Sequence, residues 1–272
     1  MQPLATWSLE DRCQLIGVFT DIDDTLTTLG AITPAALQAL ADLKKAGLHV
    51  IAITGRPIGW CEAFARGDAA AGIAPWPVDA IVAENGAVAF AWQRPGKLTK
   101  IYQQSEAERN SNFTRMQQVA AEVLRQVPGA KLSQDSPGRE TDIAIDHSEF
   151  THLAPDQIAQ VVQCMQSAGM TATVSSIHIN GWFGDHNKLE GARWIVQALF
   201  QRQLDEEIDQ WAYVGDSTND QIMFQHFNNS VGVANICRFE AELHHPPRLI
   251  SPSERGAGFA EVARAILQAR RP

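Results

Sequence analysis

Three aspartates crowd into four positions near the start of the chain, at Asp21, Asp23 and Asp24, within the segment FTDIDD. They follow the apolar run from Leu15 to Phe19, which is typical of a buried β-strand. Two carboxylates about 4 Å apart repel by roughly 4 kcal/mol at an effective dielectric near 20, so ionised carboxylates held this close need a cation. The segment therefore predicts a metal ion at the end of a strand.

Polar residues also follow three further apolar runs, HVIAI, AIVAE and WAYV. In chain order these are Thr54-Gly55-Arg56, then Asn85, then the segment GDSTND at 215 to 220. The carboxyl ends of parallel strands meet at one edge of a doubly wound sheet, and ligands bind there. We therefore expect these groups to converge with the aspartates of FTDIDD on one cleft.

The residue types suit phosphoryl transfer. A carboxylate such as Asp21 can attack phosphorus to form an aspartyl phosphate, which divides one difficult displacement into two easier ones. Asp23 could protonate the leaving oxygen and later deprotonate water. Asp216 suits Mg²⁺, which prefers hard oxygen ligands, and Thr54 with the Gly55 amide could donate hydrogen bonds to phosphoryl oxygens.

Simpler interpretations stay open for several of these residues, because aspartate, threonine and asparagine also favour turns and helix caps. Thr54 and Asn219 could be caps of this kind. Lys188, at a predicted helix start, could offset charge during transfer or could be a solvated side chain. Arg56 could contact a substrate phosphate or pair with an acidic side chain. Asn85, at the third strand end, could face the substrate.

The predicted elements divide the chain into two parts. Apolar runs alternate with helical patterns in the first third and again after residue 187, as in βαβ units. Between them, two long helical patterns and apparent hairpins (AVAFAW with KIYQQ, ATVSS with IHING) indicate a separate unit. We predict an α/β core with a doubly wound, Rossmann-like parallel sheet, formed by residues 1–86 and 187–272, and an inserted α+β cap formed by residues 87–186.

Composition excludes some partners. A net charge of -9 and a pI near 5.3 argue against nucleic acid, which needs a basic face. No stretch approaches the roughly 18 apolar residues of a membrane span, and the first residues lack a signal-peptide pattern. The four cysteines are scattered without CxxC spacing, as expected of reduced thiols. We expect a soluble, cytoplasmic protein whose partner is a small phosphorylated metabolite; its oligomeric state stays open.

Four segments in order resemble the motifs of the haloacid dehalogenase superfamily: DIDDT at 21 to 25, Thr54 after a strand, Lys188 at a helix start, and GDSTND at 215 to 220. The long insertion between the second and third motifs, together with VAENGA at 82 to 87, is similar to the subclass with an α/β cap of type IIB. That subclass includes sucrose-phosphate, trehalose-phosphate and mannosyl-3-phosphoglycerate phosphatases. The resemblance implies a cap that closes over the substrate.

The resemblance also implies a role for each matched position. Asp21 would be the nucleophile and a ligand of Mg²⁺, and Asp23 would be the acid/base and bind the metal through its backbone carbonyl. The other implied roles are phosphoryl binding by Thr54 and Lys188, metal binding by Asp216, support of the metal by Asp220 directly or through water, and contact with phosphate or Lys188 by Asn219. We add Gly55, Arg56 and Asn85 to Asn219 as predicted substrate-binding residues.

The predicted function is that of a Mg²⁺-dependent phosphatase acting on a small phosphorylated metabolite, with a sugar phosphate as the favoured class. The resemblance implies a phosphatase and not a dehalogenase, because the dehalogenases of this superfamily have no aspartate at the position of Asp23, two residues after the nucleophile. Two alternatives stay open. A phosphomutase would return the phosphate to a sugar, and a regulator would bind a sugar phosphate without turnover. The sequence does not identify the substrate, because cap residues are expected to set it.

Overall fold

The structure, a computed structural model, describes residues 1–94 and 96–270. In these residues the chain forms fifteen strands, which are β1 (Gln2–Pro3), β2 (Gly17–Thr20), β3 (Thr27–Thr28), β4 (Ala31–Ile32), β5 (His49–Ile53), β6 (Ala80–Ala83), β7 (Val88–Arg94), β8 (Lys97–Tyr102), β9 (Lys131–Leu132), β10 (Ile143–Asp146), β11 (Thr171–Val174), β12 (His178–Trp182), β13 (Trp211–Gly215), β14 (Asn229–Gly232) and β15 (Leu249–Ile250). The same described residues form eight α-helices, which are α1 (Leu9–Cys13), α2 (Pro34–Lys45), α3 (Ile58–Arg66), α4 (Glu106–Gln126), α5 (Pro155–Ser167), α6 (Lys188–Phe200), α7 (Gln221–His226) and α8 (Arg255–Gln268).

The largest sheet has nine strands in the order β1-β15-β14-β13-β2-β5-β6-β7-β8. Neighbours from β1 to β6 are parallel, and β7 and β8 extend the sheet antiparallel. Helices α2, α3 and α8 contribute to one buried apolar layer, and α6 and α7 contribute to the layer on the other face. This arrangement confirms the predicted α/β class with a doubly wound sheet.

Local sequence signals explain where the helices begin and end. The Thr33 side chain accepts a hydrogen bond from the Ala36 amide, and Pro34 takes the first helical position of α2. Gly47 follows that helix with φ of 82°, a conformation that glycine adopts without a steric penalty. Ser105 and Glu108 form a capping box at the start of α4.

A second, antiparallel sheet has the order β11-β12-β10-β9. It packs with α4 and α5 around an apolar cluster of its own. Met116 and Val123 come from α4, Val161 and Met165 from α5, and Ile179 from the sheet. We refer to this α+β unit as the cap and to the nine-stranded sheet with its helices as the core.

One predicted hairpin lies elsewhere than expected. The sequence analysis placed AVAFAW and KIYQQ in the inserted cap, whereas β7 and β8 extend the nine-stranded sheet, with Val82 opposite Ala89. The alternating pattern predicted the strands correctly, but it carries no information about which strand they pair with. In terms of sheets, the insertion begins after Tyr102 and not at residue 87; the division into two domains stays a prediction.

Within the part of the chain that the structure describes, no helix combines the length and apolar character needed to cross a lipid bilayer.

Candidate active site

Four adjacent strands of the large sheet carry the candidate residues at their carboxyl ends. Asp21 directly follows β2, and its backbone amide donates to the Val214 carbonyl of β13 at 2.8 Å. Thr54 directly follows β5, and its amide donates to the Val82 carbonyl of β6 at 2.9 Å. Asp216 directly follows β13. Ladder hydrogen bonds therefore continue one residue beyond β2 and β5 and fix Asp21 and Thr54 at the edge where Asp216 also lies.

Lys188 lies between two acidic side chains. Its Nζ donates to Asp21 Oδ1 and to Asp220 Oδ1, both at 2.6 Å, and its side chain is buried. Burial by itself would lower the pKa of the Lys188 ammonium, but the two carboxylates more than offset that effect and raise it. The lysine is therefore a fixed positive charge beside the proposed nucleophile.

Three buried carboxylates, those of Asp21, Asp216 and Asp220, form one cluster in which the possible ligand atoms all lie within 4.8 Å of one another. Burial raises the pKa of Asp21 to about 8, although Lys188 opposes the change. Burial, reinforced by the Asp21 and Asp220 charges, also raises the pKa of Asp216 well above its ordinary value. Without further positive charge, the cluster is therefore an unfavourable place for three anions.

The two oxygens of Asp216 have different surroundings. Oδ2 accepts a hydrogen bond from Asn235 Nδ2 at 2.9 Å, and the same amide group donates to the Asp24 carbonyl at 3.0 Å. Oδ1 is buried and, among the described residues, has no hydrogen-bond partner. An unpartnered carboxylate oxygen inside an acidic cluster is chemically suited to bind a divalent cation.

Both carboxylate oxygens of Asp220 accept hydrogen bonds from protein donors. Oδ1 accepts from Lys188 and from the Tyr213 hydroxyl, and Oδ2 accepts from the amides of Asp216 and Ser217 at 2.9 and 3.1 Å. These bonds hold the lysine and the loop after β13 in one arrangement. They favour support of the metal through water over direct ligation, the two ways that the resemblance left open for Asp220.

Asp23 and Arg56 form an ion pair beside this cluster. Arg56 Nη2 and Nε donate to the Asp23 carboxylate at 2.9 and 3.0 Å, and the guanidinium also lies 3.2 Å from Asp135 and 2.8 Å from Glu149 in the cap. Burial by itself would lower the pKa of Arg56, but Asp23 and Glu149 together raise it. Of the two open interpretations of Arg56, pairing with acidic side chains is the one seen in this structure.

The residues after β5 and β6 lie against the cap. Thr54 Oγ1 accepts from the Arg56 amide at 3.1 Å, and the Gly55 carbonyl accepts from Arg139 Nη1 at 2.9 Å. A Cβ on Gly55 would be only 3.3 Å from amide atoms of both Asn180 and Asn85. Glycine thus lets the cap approach the core backbone at this point.

Asn219 and Asn85 line a cavity that also reaches Lys188. Asn219 Oδ1 accepts from the Ser217 hydroxyl at 2.9 Å. Within the described chain, the side-chain hydrogen bonds of Lys188 are those to Asp21 and Asp220, so Asn219 does not orient it directly. Asn85 Nδ2 is buried and has no partner among the described residues.

Sequence reasoning missed three groups that the structure brings to the site. Asn235, which holds Asp216, follows the strand run SVGV and could have been found by the same strand-end criterion. Glu84 lies within VAENGA, but nothing in that segment shows that its side chain bonds to the cap. The acidic partners of Arg56 in the cap, Asp135 and Glu149, carry no sequence signal because they are 79 and 93 residues away.

The sequence model of a family described as haloacid dehalogenase-like hydrolases matches residues 18–124, which include the Asp21 and Thr54 segments. The matched residues make up less than half of the chain, and over them the chain is similar to haloacid dehalogenase-like hydrolases. No curated protein sequence matches it.

Solved structures share the fold of this chain at low sequence identity. A protein from Thermoplasma acidophilum is 17% identical with a TM-score of 0.68, covering 93% of this chain and 99% of its own. The sucrose-phosphatase of Synechocystis sp. PCC6803, in complex with sucrose and phosphate, is 16% identical with a TM-score of 0.65, covering 93% and 98%. A sugar phosphatase of subclass IIB is 14% identical with a TM-score of 0.61, also covering 93% and 98%.

Proposed function

We propose that this protein is a Mg²⁺-dependent phosphatase that hydrolyses a sugar phosphate through an aspartyl-phosphate intermediate. The observation that carries the proposal is the position of Asp21. Its Oδ1 lies 2.6 Å from a buried lysine, inside a cluster of carboxylates suited to a divalent ion. A carboxylate in that setting can attack phosphorus while neighbouring positive charge stabilises the transferred group.

The charges of the cluster fit Mg²⁺. Three carboxylates face one lysine, so two negative charges are uncompensated when all the groups are ionised. Asp21 and Asp216 would hold the ion, with Asp216 Oδ1 as the unpartnered oxygen. The Asp23 backbone carbonyl is the further ligand that the family resemblance implies, and Asp220 would support the site. Mg²⁺ bound there would neutralise charge on the phosphoryl oxygens.

The reaction divides into two displacements. In the first, an Asp21 oxygen bonds to phosphorus while the bond to the leaving oxygen breaks, and Asp23 gives that oxygen its proton. In the second, Asp23 takes a proton from water, the water oxygen bonds to phosphorus, and the bond from phosphorus to Asp21 breaks to release inorganic phosphate. In this structure Arg56 binds the ionised Asp23 carboxylate, which is the form that takes the proton from water in the second step.

Phosphoryl binding is assigned to Lys188, Thr54 and the Gly55 amide, and water is excluded by the cap. The cap is tied to the core beside these residues, because Asn180 Nδ2 donates to the Gly55 carbonyl at 3.3 Å and Thr218 Oγ1 donates to the Val174 carbonyl at 2.9 Å. A closed cap strengthens electrostatic interactions in the site and favours hydrolysis by one ordered water.

A sugar phosphate is the substrate class that the comparisons favour, since two of the structural relatives are described as a sucrose-phosphatase and a sugar phosphatase. All four cysteines of the chain are free, as a reducing compartment would keep them, and we propose a cytoplasmic location.

The test is hydrolysis of p-nitrophenyl phosphate with Mg²⁺ present. We expect phosphate release that stops when EDTA is added, and a loss of at least about a thousandfold in kcat for Asp21→Asn, because the amide is a poor nucleophile. Asp156→Asn, which changes an exposed aspartate of the cap helix α5, is the matched control and should keep full activity. Equal activity in Asp21→Asn and Asp156→Asn would contradict the proposal.

The same assay with sugar phosphates separates the two alternatives. A phosphomutase would return an isomeric sugar phosphate and little inorganic phosphate. A regulator would bind the sugar phosphate, measured by calorimetry, without turnover of any phosphate ester.

A further inference from the structure

Asn235 lies in a short 3₁₀-helical segment, Ala234–Phe239, that follows β14. It is 2% exposed. The backbone before it is tied to the loop that carries Asp216, because the Val233 amide donates to the Gly215 carbonyl at 3.0 Å. Asn235 therefore has a fixed position beside the carboxylate cluster, although the two displacements of the proposed reaction do not use it.

The orientation of the Asn235 side-chain amide follows from its neighbours. Its Oδ1 accepts a hydrogen bond from the Arg255 backbone amide at 2.9 Å, and a backbone amide can only donate. The oxygen therefore faces Arg255, and the nitrogen faces the carboxylate cluster. There Nδ2 donates to Asp216 Oδ2 at 2.9 Å and to the Asp24 carbonyl at 3.0 Å. The two hydrogens of one amide group thus bind both segments that would hold the metal ion.

This arrangement leaves Asp216 with one available carboxylate oxygen. Oδ2 accepts from Asn235, whereas Oδ1 is buried and has no hydrogen-bond partner among the described residues. Mg²⁺ demands a near-ideal octahedron of oxygens, whereas the larger Ca²⁺ takes more oxygens in flexible geometry and can use both oxygens of one carboxylate. A donor that binds Oδ2 therefore favours the smaller ion.

The hydrogen bond to the Asp24 carbonyl fixes the other segment. Asp24 and Arg255 both have φ of 55°, a sterically costly conformation for residues with a side chain, and Arg255 Nε lies 2.9 Å from Asp24 Oδ1. The peptide that Asn235 binds is next to the one that contains the Asp23 carbonyl, which the family resemblance assigns to the metal. Asn235 therefore holds the backbone of this segment in a fixed position relative to Asp216.

We propose that Asn235 is a positioning residue for the metal ion, which makes Asp216 a one-oxygen ligand and thereby favours Mg²⁺ over Ca²⁺. This inference rests on the Mg²⁺ binding that the proposed function requires, and it adds a residue outside the four segments that carry the family resemblance. Replacing side chains that orient metal ligands typically lowers metal affinity by about ten- to a hundredfold. Loss of Asn235 should therefore change metal affinity and selectivity although the ligands themselves remain.

The experiment measures the Kd of Mg²⁺ and of Ca²⁺ by isothermal titration calorimetry, after EDTA treatment and removal of the chelator. We expect Asn235→Ala to raise the Kd of Mg²⁺ at least about tenfold, because Asp216 and the Asp24 peptide lose their shared donor. The Kd of Ca²⁺ should rise no more than about threefold, since the freed Oδ2 becomes available to the larger ion.

Asn235→Ser is a second, smaller change, because its hydroxyl has a single hydrogen and can donate to only one of the two oxygens. We expect it to raise the Kd of Mg²⁺ at least about threefold and to leave the Kd of Ca²⁺ nearly unchanged. This variant decides the question if Asn235→Ala does not fold, which the thermal midpoint and circular dichroism show.

Asn229→Ala is the matched control. Asn229 is also a buried asparagine, and its side chain accepts from Trp7 Nε1 at 3.0 Å and donates to the Asp209 carbonyl at 2.8 Å. It is the first residue of β14, at the amino end of the strand, whereas the cluster lies beyond the carboxyl ends. Asn229→Ala should lower the thermal midpoint but leave both dissociation constants, and the rise in midpoint that Mg²⁺ causes, unchanged.

Two results would overturn this inference. One is a Kd of Mg²⁺ that is the same in the Asn235 variants and in Asn229→Ala, and the other is an equal loss of affinity for Mg²⁺ and Ca²⁺. Hydrolysis of p-nitrophenyl phosphate by the wild type with Mg²⁺ would leave the proposed function standing in both cases. A wild-type protein that neither binds Mg²⁺ nor shows EDTA-sensitive hydrolysis would overturn the phosphatase itself and this inference with it.

Discussion

Lys188 carries the positive charge that allows acidic side chains to gather at the strand ends. Its ammonium lies 2.6 Å from Asp21 and from Asp220, and it is buried. Removing one partner of a buried, hydrogen-bonded pair is strongly destabilising, because the remaining charge stays in a poorly solvating environment. The lysine therefore stabilises the fold of the site, and in the proposed mechanism it would also bind the phosphoryl group.

Two residues earlier, His186 is a buried histidine with a different role. It stacks on Trp182, with ring centroids 5.3 Å apart, and among the described residues neither ring nitrogen has a hydrogen-bond partner. Burial lowers its pKa to about 4, from an ordinary value near 6.5. The folded protein thus keeps this imidazole neutral at pH values where the unfolded chain protonates it.

We predict that His186 makes the protein less stable as the pH falls from about 6.5 to about 4, because the unfolded chain then binds the extra proton. The effect amounts to at most about 3 kcal/mol in the free energy of unfolding. Urea unfolding of wild type and His186→Phe at pH 7 and pH 4.5 measures it, since phenylalanine retains the stacking and cannot be protonated. The buried aspartates change the pH dependence of stability in the opposite direction. Because they are present in both proteins, their contribution cancels when the variant is compared with the wild type.

His152→Gln provides the control, because His152 is exposed in the cap. If His186→Phe and His152→Gln change the pH dependence of stability equally, burial of His186 is not the cause.

The turn after β6 is a core element that contacts the cap. Glu84, Asn85 and Gly86 follow one another with φ of 50°, 55° and 112°, and non-glycine residues pay about 1–2 kcal/mol each for this conformation. The Glu84 carboxylate stabilises the turn, because it accepts hydrogen bonds from the Ile58 amide at the start of α3 and from the Thr141 amide and hydroxyl in the cap.

Gly86 brings the same turn against α6. A Cβ at Gly86 would lie 2.4 Å from the Asn187 carbonyl oxygen and 3.1 Å from Gly191 Cα. The absence of a side chain therefore lets the turn pack on the helix that begins with Lys188. Turn, helix start and cap strand form one contact region.

We predict that Glu84→Gln lowers the free energy of unfolding by about 1–3 kcal/mol, because the new amide group would point a donor at backbone donors. Urea unfolding followed by circular dichroism measures the change. Glu62→Gln, which changes an exposed glutamate in the neighbouring helix α3, should be nearly neutral. Equal effects of the two substitutions would show that the Glu84 hydrogen bonds do not stabilise the fold.

Arg56 links the two units of the molecule, because it connects the proposed acid/base, Asp23, to the cap. It is bonded to Asp23 in the core and to Asp135 and Glu149 in the cap, and Glu149 Oε2 lies 2.9 Å from His178 Nε2. These contacts join the cap to the core in this structure. We therefore expect closure of the cap and the position of Asp23 to be coupled.

We predict that the double variant Asp135→Asn, Glu149→Gln favours an open cap. Loss of two anionic partners weakens the contact, and we expect a larger radius of gyration in small-angle X-ray scattering, with KM raised at least about threefold. Glu122→Gln, on the exposed face of α4, serves as the control and should change neither quantity. An unchanged radius of gyration together with an unchanged KM would mean that these ion pairs do not hold the cap closed.

Local patterns predicted much of this fold. Helix α4 is one of the two long helical patterns predicted between the halves of the core, α6 begins at Lys188 as predicted, and the apolar runs around the site form strands. The hairpin of β7 and β8 could not be placed, because its pattern specifies a buried strand and not a partner. The same limit applies to the cap acids that bind Arg56, since pairing across 79 and 93 residues depends on how two units pack.

Local sequence patterns were enough to predict the α/β class, the strand ends and the residue types at them, because apolar periodicity and strand-end chemistry are local properties. Which side chains become hydrogen-bond or ion-pair partners depends on how the folded chain packs. The tertiary structure paired Lys188 with Asp21 and Asp220, left Asp216 Oδ1 without a protein partner among the described residues, and placed Asn235 against Asp216 Oδ2. Distances between residues far apart in the chain follow from packing, which no local pattern encodes.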